Sequence, residues 1–245
     1  MRKVIRLLLW LIACAALVFS AVKLFGYIRE GSQSTSLNDR LIDDAVALKE
    51  PASKTGETAP IEVDFNVLLE QNGDIVGWLY CEDTPINLPV VQSSDNDHYL
   101  RRLLDGSWNT AGTLFVDCRN SGDFSDANTV IYGHNMKNKT MFGTLSCYRE
   151  QSYFEEHPVM WLLTPSGDYK VELVAGYITP TTSDVYSFDL SDEEMLATVR
   201  QAVESSTFTS GIEISDGDRF LTLSTCSYEY DNARYVLIGR LVPAE

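Results

Sequence analysis

From Leu7 to Val22 the chain reads LLLWLIACAALVFSAV without a charge, and Leu24, Phe25, Tyr27 and Ile28 carry the apolar character to about residue 28. A helix that crosses the hydrocarbon core of a bilayer needs roughly 20 such residues, and this run meets that length. Lys23 sits near its far end, where a long side chain can reach the interface. Arg2, Lys3 and Arg6 precede it, so the positive-inside rule places the N-terminus in the cytoplasm and the rest of the chain outside.

Two other readings use the same residues. A cleaved signal peptide has small residues available at Ser20–Ala21, but the run is long for a signal's apolar region. Leu11-Ile12-Ala13-Cys14 has the look of a bacterial lipobox, yet few apolar residues precede it and those after Cys14 stay apolar. A retained single-pass anchor over residues 1–28, in the cell membrane, is the expectation.

Charge divides the chain at the same place. Residues 1–30 hold Arg2, Lys3, Arg6, Lys23 and Arg29 against Glu30 alone, a net of +4, so with −16 overall the remainder carries −20. That sign opposes a phosphate backbone and argues against nucleic acid as a partner. An aromatic content of 11% excludes disorder along the whole chain, and 245 residues suffice for one sizeable core but hardly for two domains. Cys81, Cys118, Cys147 and Cys226 are sparse for an extracellular body, so stability should not depend on disulfides, although sequence alone leaves a bridge possible.

Residues 29–36 are polar and read as a flexible lead-out. A helix is expected from about Leu37 to Lys49, with Ser36 as N-cap and Leu37, Leu41, Ala45 and Leu48 as its apolar stripe. Pro51–Pro60 reads as a linker and roughly Asp64–Gln71 as a second short helix before Gly73. Residues 29–72 thus form a linker with N-terminal helices. From residue 73 to 245 the pattern changes to strands: Ile75–Tyr80, Leu88–Gln92, Thr113–Asp117, Thr129–Tyr132, Val159–Thr164, Tyr169–Thr179, Phe220–Thr225 and Tyr235–Val242. Eight short strands with few long helices predict a mainly β fold, a closed or nearly closed eight-stranded barrel with short peripheral helices. One late helix opens at Ser191-Asp192-Glu193-Glu194, with Met195, Val199, Ala202 and Val203 as its apolar face.

Chemistry has few candidates. His98 and His157 read as loop or turn residues. His134 differs, because it follows the strand TVIY and Gly133, and a rigid strand ending in a loop is a good mount for a reactive group. Cys226 ends the strand FLTLST in the same way, where a thiolate can serve as nucleophile. Arg234 opens the next strand and, across a hairpin, returns close to Cys226, where a guanidinium can donate to a developing oxyanion. Singly, each signal is weak: buried cysteine and surface arginine are the bland readings. No metal site is expected, since CxxC and HxxxH are both absent, and no GxSxG marks a serine nucleophile.

Thr222-Leu223-Ser224-Thr225-Cys226 resembles the TLxTC signature of sortases, the membrane-anchored cysteine transpeptidases of Gram-positive bacteria. Tyr132-Gly133-His134-Asn135-Met136 resembles their histidine segment, and the likeness spans about Gly73–Val242. The serine in TLSTC, the segment Asn87–Gln92 and the helix near Ser191–Ser205 resemble class B sortases in particular. The resemblance implies Cys226 as nucleophile, His134 as general acid/base and Arg234 as oxyanion or substrate-orienting residue, with Arg240 a distant fallback. Ser224, Thr225, Tyr228 and Glu229 become candidate substrate contacts, and no cofactor is implied. It further implies cleavage of a C-terminal sorting signal after Thr through a thioacyl enzyme, then transfer of the surface protein to a peptidoglycan precursor or cross-bridge amine. A hydrolytic cysteine peptidase, a pilin-polymerising sortase and an anchored binding module without catalysis are the alternatives. Ser53-Lys54-Thr55-Gly56 resembles part of a sorting motif, but a true signal sits near a C-terminus, so linker is the better reading.

Overall fold

The computed structural model describes residues 2–49 and 58–244. Contacts divide the chain into two units, Met1–Arg40 and Leu41–Glu245. The first is helical throughout. Helix α1 runs unbroken from Arg2 to Ala45, and the lead-out expected to be flexible at 29–36 is part of it. Once the apolar run has supplied the costly nucleus, each further residue adds only a propagation step, and no proline interrupts Arg29–Ser36. Ser36 is therefore an interior residue and not an N-cap. The helix also ends four residues before Lys49. Val46–Leu48 leaves it as β1 and pairs antiparallel with β2, Ile61–Val63. Pairing between distant segments overrides a helical pattern there, with Asp64 N–H donating to Ala45 O at 2.8 Å. Of the expected stripe, Leu41 and Ala45 are buried, while Leu48 is exposed. Residues 50–57 of the expected linker, Ser53–Gly56 among them, lie outside the described residues.

Helix α2, Phe65–Gln71, starts where Asp64 accepts hydrogen bonds from the Asn66 and Val67 amides. Eight strands then close into a barrel: β3 (Ile75–Tyr80), β4 (Asn87–Gln92), β5 (Leu114–Val116), β6 (Asn128–Tyr132), β7 (Val159–Leu163), β8 (Tyr169–Pro180), β9 (Arg219–Cys226) and β10 (Ala233–Pro243). Their order around the barrel is β10-β8-β7-β3-β4-β5-β6-β9. All eight expected strands are present. Most pairs are antiparallel; β4·β5 and β6·β9 are parallel. Closure removes open sheet edges and lets inward residues such as Leu79, Val90, Leu114, Ile131, Leu162, Leu221 and Leu237 fill one core.

The peripheral helices are short. Helix α3, Gln151–Glu156, follows a turn of 3₁₀ helix at Leu145–Arg149. Helix α4, Asp192–Glu204, lies between β8 and β9 and starts with the full capping box of Ser191 and Glu194. Its buried residues are Met195, Leu196, Val199 and Ala202. Val203, expected on that face, is exposed, and Leu196 takes its place because the stripe is centred one position earlier. These side chains pack on Val174, Phe220, Val236 and Ile238, outside the barrel wall. All five cysteines are free thiols, with Cys81 buried and Cys118 and Cys147 partly so.

Candidate active site

Strand β9 carries Cys226 as its last residue, and β10 returns antiparallel beside it. The register pairs Arg234 directly with Cys226, Tyr235 with Thr225 and Val236 with Ser224. Directly opposed residues on antiparallel strands have Cβ atoms about 5 Å apart, so the thiol and the guanidinium stem leave neighbouring backbones. Arg240 pairs with Phe220, near the other end of β9, and is bound to Glu172 at 2.6 Å. It does not approach the thiol.

On the other side, β9 runs parallel to β6, with Tyr132 opposite Ser224. Gly133 N–H donates to Ser224 O at 3.1 Å, and Thr225 Oγ1 donates to Gly133 O at 2.7 Å. Two residues beyond the Tyr132–Ser224 rung stand His134 and Cys226. Because side chains alternate along a strand, Tyr132 shares a side with His134, and Ser224 with Cys226. Gly133 is required between them: a Cβ there would meet Leu114 Cδ2 at 2.5 Å and Phe142 Cδ2 at 2.6 Å.

His134 is half-buried. Its Nε2 lies 2.8 Å from the carbonyl oxygen of Leu100. A carbonyl only accepts, so Nε2 carries the proton and Nδ1 is the nitrogen left to exchange one. Burial, followed by the nearby Arg101 charge, lowers the imidazole below its ordinary value, while the bond to Leu100 works against that shift. Neutral imidazole is the resting form near pH 7.

One cavity of about 290 Å³ takes in Cys226, His134 and Arg234, together with Ser224 and Thr225. Its wall continues through Phe115, Tyr132 and Tyr186, whose rings stack in sequence at 5.3 and 6.3 Å. Tyr186 and Ser224 share a hydrogen bond of 2.8 Å. Arg119 also lines it. Its guanidinium grips Asp117 with two bonds, 2.9 and 2.8 Å, and lies 3.9 Å over the Phe188 ring. Tyr132 donates to the same carboxylate at 2.9 Å. Burial pushes the Asp117 carboxyl upward, but these donors outweigh it and hold the group below its ordinary value. The cavity is therefore aromatic along one wall and cationic at two points.

Tyr228 and Glu229 stand apart from that lining. Tyr228 is 81% exposed on the loop after Cys226. Glu229 is bound by Arg149 at 2.5 Å and by the Ser227 hydroxyl, and these contacts hold its carboxyl below the usual range. Sequence reasoning passed over Phe115, Arg119, Tyr132 and Tyr186. For Tyr132 a signal existed, since it lies two residues before His134 on a strand. His98 is exposed against Tyr99, His157 packs on Tyr153, and neither enters the cavity. Among the described residues no cluster of His, Cys, Asp or Glu suits a metal ion.

A closed mixed β-barrel presenting a cysteine, a histidine and an arginine from three adjacent strand ends defines a class of thiol-bearing barrel proteins. No family model matches the chain. Sortase B of Listeria monocytogenes is 37% identical over 214 residues, covering 84% of this chain and 85% of that protein. Among solved structures, sortase B from B. anthracis is 30% identical, covers 89% of this chain and 99% of that one, and superposes with a TM-score of 0.74. A Staphylococcus aureus sortase B–substrate complex is 26% identical, covers 89% and 98%, and has a TM-score of 0.73. The chain belongs to the sortase B family.

Proposed function

We propose that this chain is a membrane-anchored cysteine transpeptidase that joins surface proteins to a peptidoglycan amine. The observation that carries this reading is the cross-strand pairing of Cys226 with Arg234 in the cavity that also holds His134. In the resting site the thiol keeps its proton and His134 is neutral. As Cys226 sulfur attacks the carbonyl carbon of a Thr in the sorting signal, its proton passes to His134 Nδ1. Negative charge gathers on the carbonyl oxygen, where Arg234 donates. Collapse breaks the peptide bond, and His134 returns the proton to the departing amine. An acceptor amine then attacks the thioester, losing its proton to His134, and the thiol is regenerated.

Ser224 and Thr225 shape the cavity floor beside the nucleophile, while Tyr228 offers a contact outside it and Glu229 braces the loop that carries it. Residues 1–28 serve as a retained single-pass anchor with the N-terminus cytoplasmic, and residues 73–245 act outside the cell. Holding the enzyme at the surface where both substrates are tethered raises their effective concentration. The substrate complex described for the S. aureus relative supports a peptide ligand.

The test uses the full chain in detergent with a fluorogenic peptide containing Pro and Thr in a sorting-signal arrangement, with and without triglycine. The expected product is the peptide acyl group joined to triglycine, and Cys226→Ala should form none. Unchanged processing by Cys226→Ala would overturn the nucleophile assignment. Hydrolysis alone at every triglycine concentration would instead make this a peptidase.

A further inference from the structure

We propose that Asn135 is a positioning residue for acyl transfer. Its side-chain amide supplies a rung of the β6·β9 ladder where the backbone no longer does, and so keeps the Cys226 thiol aligned with the His134 imidazole. The inference rests on the Cys226–His134 reading above.

In a parallel ladder the hydrogen bonds are evenly spaced, and one strand donates at every second residue. Register runs from Asn128–Phe220 to Tyr132–Ser224, and the last bond of this series is Gly133 N–H to Ser224 O at 3.1 Å. The next member would be the Asn135 backbone N–H to Cys226 O. By that point the chain has turned away. Met136 N–H donates to His134 O at 3.1 Å, Phe142 N–H donates to the same oxygen at 3.0 Å, and Asn135 bridges Met141 instead. Yet Cys226 O is not abandoned. Asn135 Nδ2 donates to it at 2.8 Å, from the residue whose backbone amide would otherwise have done so.

Both reactive residues therefore lie one step past the end of the regular ladder, where strands fray most readily. Arg234 flanks Cys226 on the β10 side, and the Asn135 amide completes the β6 side. Fixing that carbonyl fixes the peptide plane after Cys226 and with it the direction of the Cα–Cβ bond that aims the sulfur. The donor comes from the residue next to His134, so the thiol and the imidazole are tied to each other and not merely to the barrel. Asn suits the task because its amide donates. Asp has the same shape but would set an oxygen against the carbonyl.

Full-length Asn135→Ala and Asn135→Asp are compared with the wild type and Cys226→Ala in detergent. Each is assayed for transfer of the fluorogenic peptide to triglycine and, separately, for alkylation of Cys226 by iodoacetamide. Alkylation needs a reactive thiol but no alignment with an imidazole. Asn135→Ala is expected to lose roughly 10- to 100-fold in kcat with KM held within about twofold, because a misplacement near 1 Å costs on that order. Its alkylation rate should stay within about threefold of wild type. Asn135→Asp should lose a similar amount at pH 7.5 and recover relative to wild type as the pH falls, since a protonated carboxyl donates again. A kcat within about twofold of wild type in both variants would overturn the proposal. So would an equal loss of alkylation and transfer, the mark of a merely structural role. If Asn135→Ala does not fold, Asn135→Asp, which keeps the volume, decides. Processing of the peptide by Cys226→Ala at the wild-type rate is a separate failure: it removes the thiol reading itself, and this inference goes with it.

Discussion

At the scale of single residues, the proton inventory of the site turns on His134. Its Nε2–H is committed to Leu100 O, so any proton it exchanges with Cys226 or with an amine passes through Nδ1. Burial and then the Arg101 charge lower its pKa. The base form is neutral imidazole, so a lowered pKa keeps that form populated to lower pH. The acid limb of kcat/KM should accordingly fall below pH 6.5, about the ordinary histidine value. Arg101→Gln removes one of the lowering causes and should move the limb upward. A pH–rate profile of the full chain checks both; a limb at or above pH 6.5 in the wild type would contradict the assignment. The three central residues were legible in sequence because each is the last or first residue of a strand with a strong β pattern. Arg119 was not. Its part in the cavity comes from a bidentate grip on a buried aspartate two residues away and from a ring contributed by Phe188, far along the chain. Nothing in the local spacing points to either contact.

At the scale of elements, the end of β6 is where fold and chemistry meet. Gly133 lets the chain pass between Leu114 and Phe142, and a Cβ there would meet both side chains at 2.5 and 2.6 Å. Gly133→Ala should therefore destabilise the protein by about 1–3 kcal/mol, the usual cost of overpacking. It should also cost turnover beyond that, because His134 moves with the strand end. Chemical denaturation read beside transfer activity separates the two: a variant of normal stability and normal turnover would show that the passage has slack. The same local logic explains which elements could be read in advance. Each barrel strand is short, β-branched or aromatic, and bounded by turn residues, and α4 announces itself through Ser191 and Glu194. The β1·β2 pair could not be read that way. Three residues long on each side, it exists because Val46–Leu48 meets Ile61–Val63 across an intervening segment, and that meeting also cut short a helix whose apolar spacing looked sound.

At the scale of the whole molecule, the charge split and the apolar head describe two solvents. The Arg2–Ala45 helix contains an 18-residue window of mean hydropathy 2.4 with none of it buried against protein. Exposed apolar surface of that extent in water would drive association, whereas in hydrocarbon it needs no cover and the helix satisfies its own backbone. Leu41–Glu245 has the opposite character, a closed barrel with a buried apolar core. The bulk of the −20 beyond residue 30 belongs to it and favours a soluble surface. A polypeptide with both characters is stable as a whole only where a bilayer and an aqueous phase adjoin. The expected behaviour follows. Expressed at full length in a Gram-positive host, the protein should remain in the membrane fraction through washes in high salt and in alkaline carbonate, and dissolve only in detergent. A chain lacking residues 1–28 should be released into the aqueous phase. Mass spectrometry of the detergent extract should find the N-terminal residues still attached, and added protease should digest the barrel of intact protoplasts from outside. Release by alkali would make the head a surface-bound helix, and a new N-terminus at Ala21 or a lipid on Cys14 would make it a processed signal. Each of those results would leave the barrel chemistry untouched while replacing the anchor.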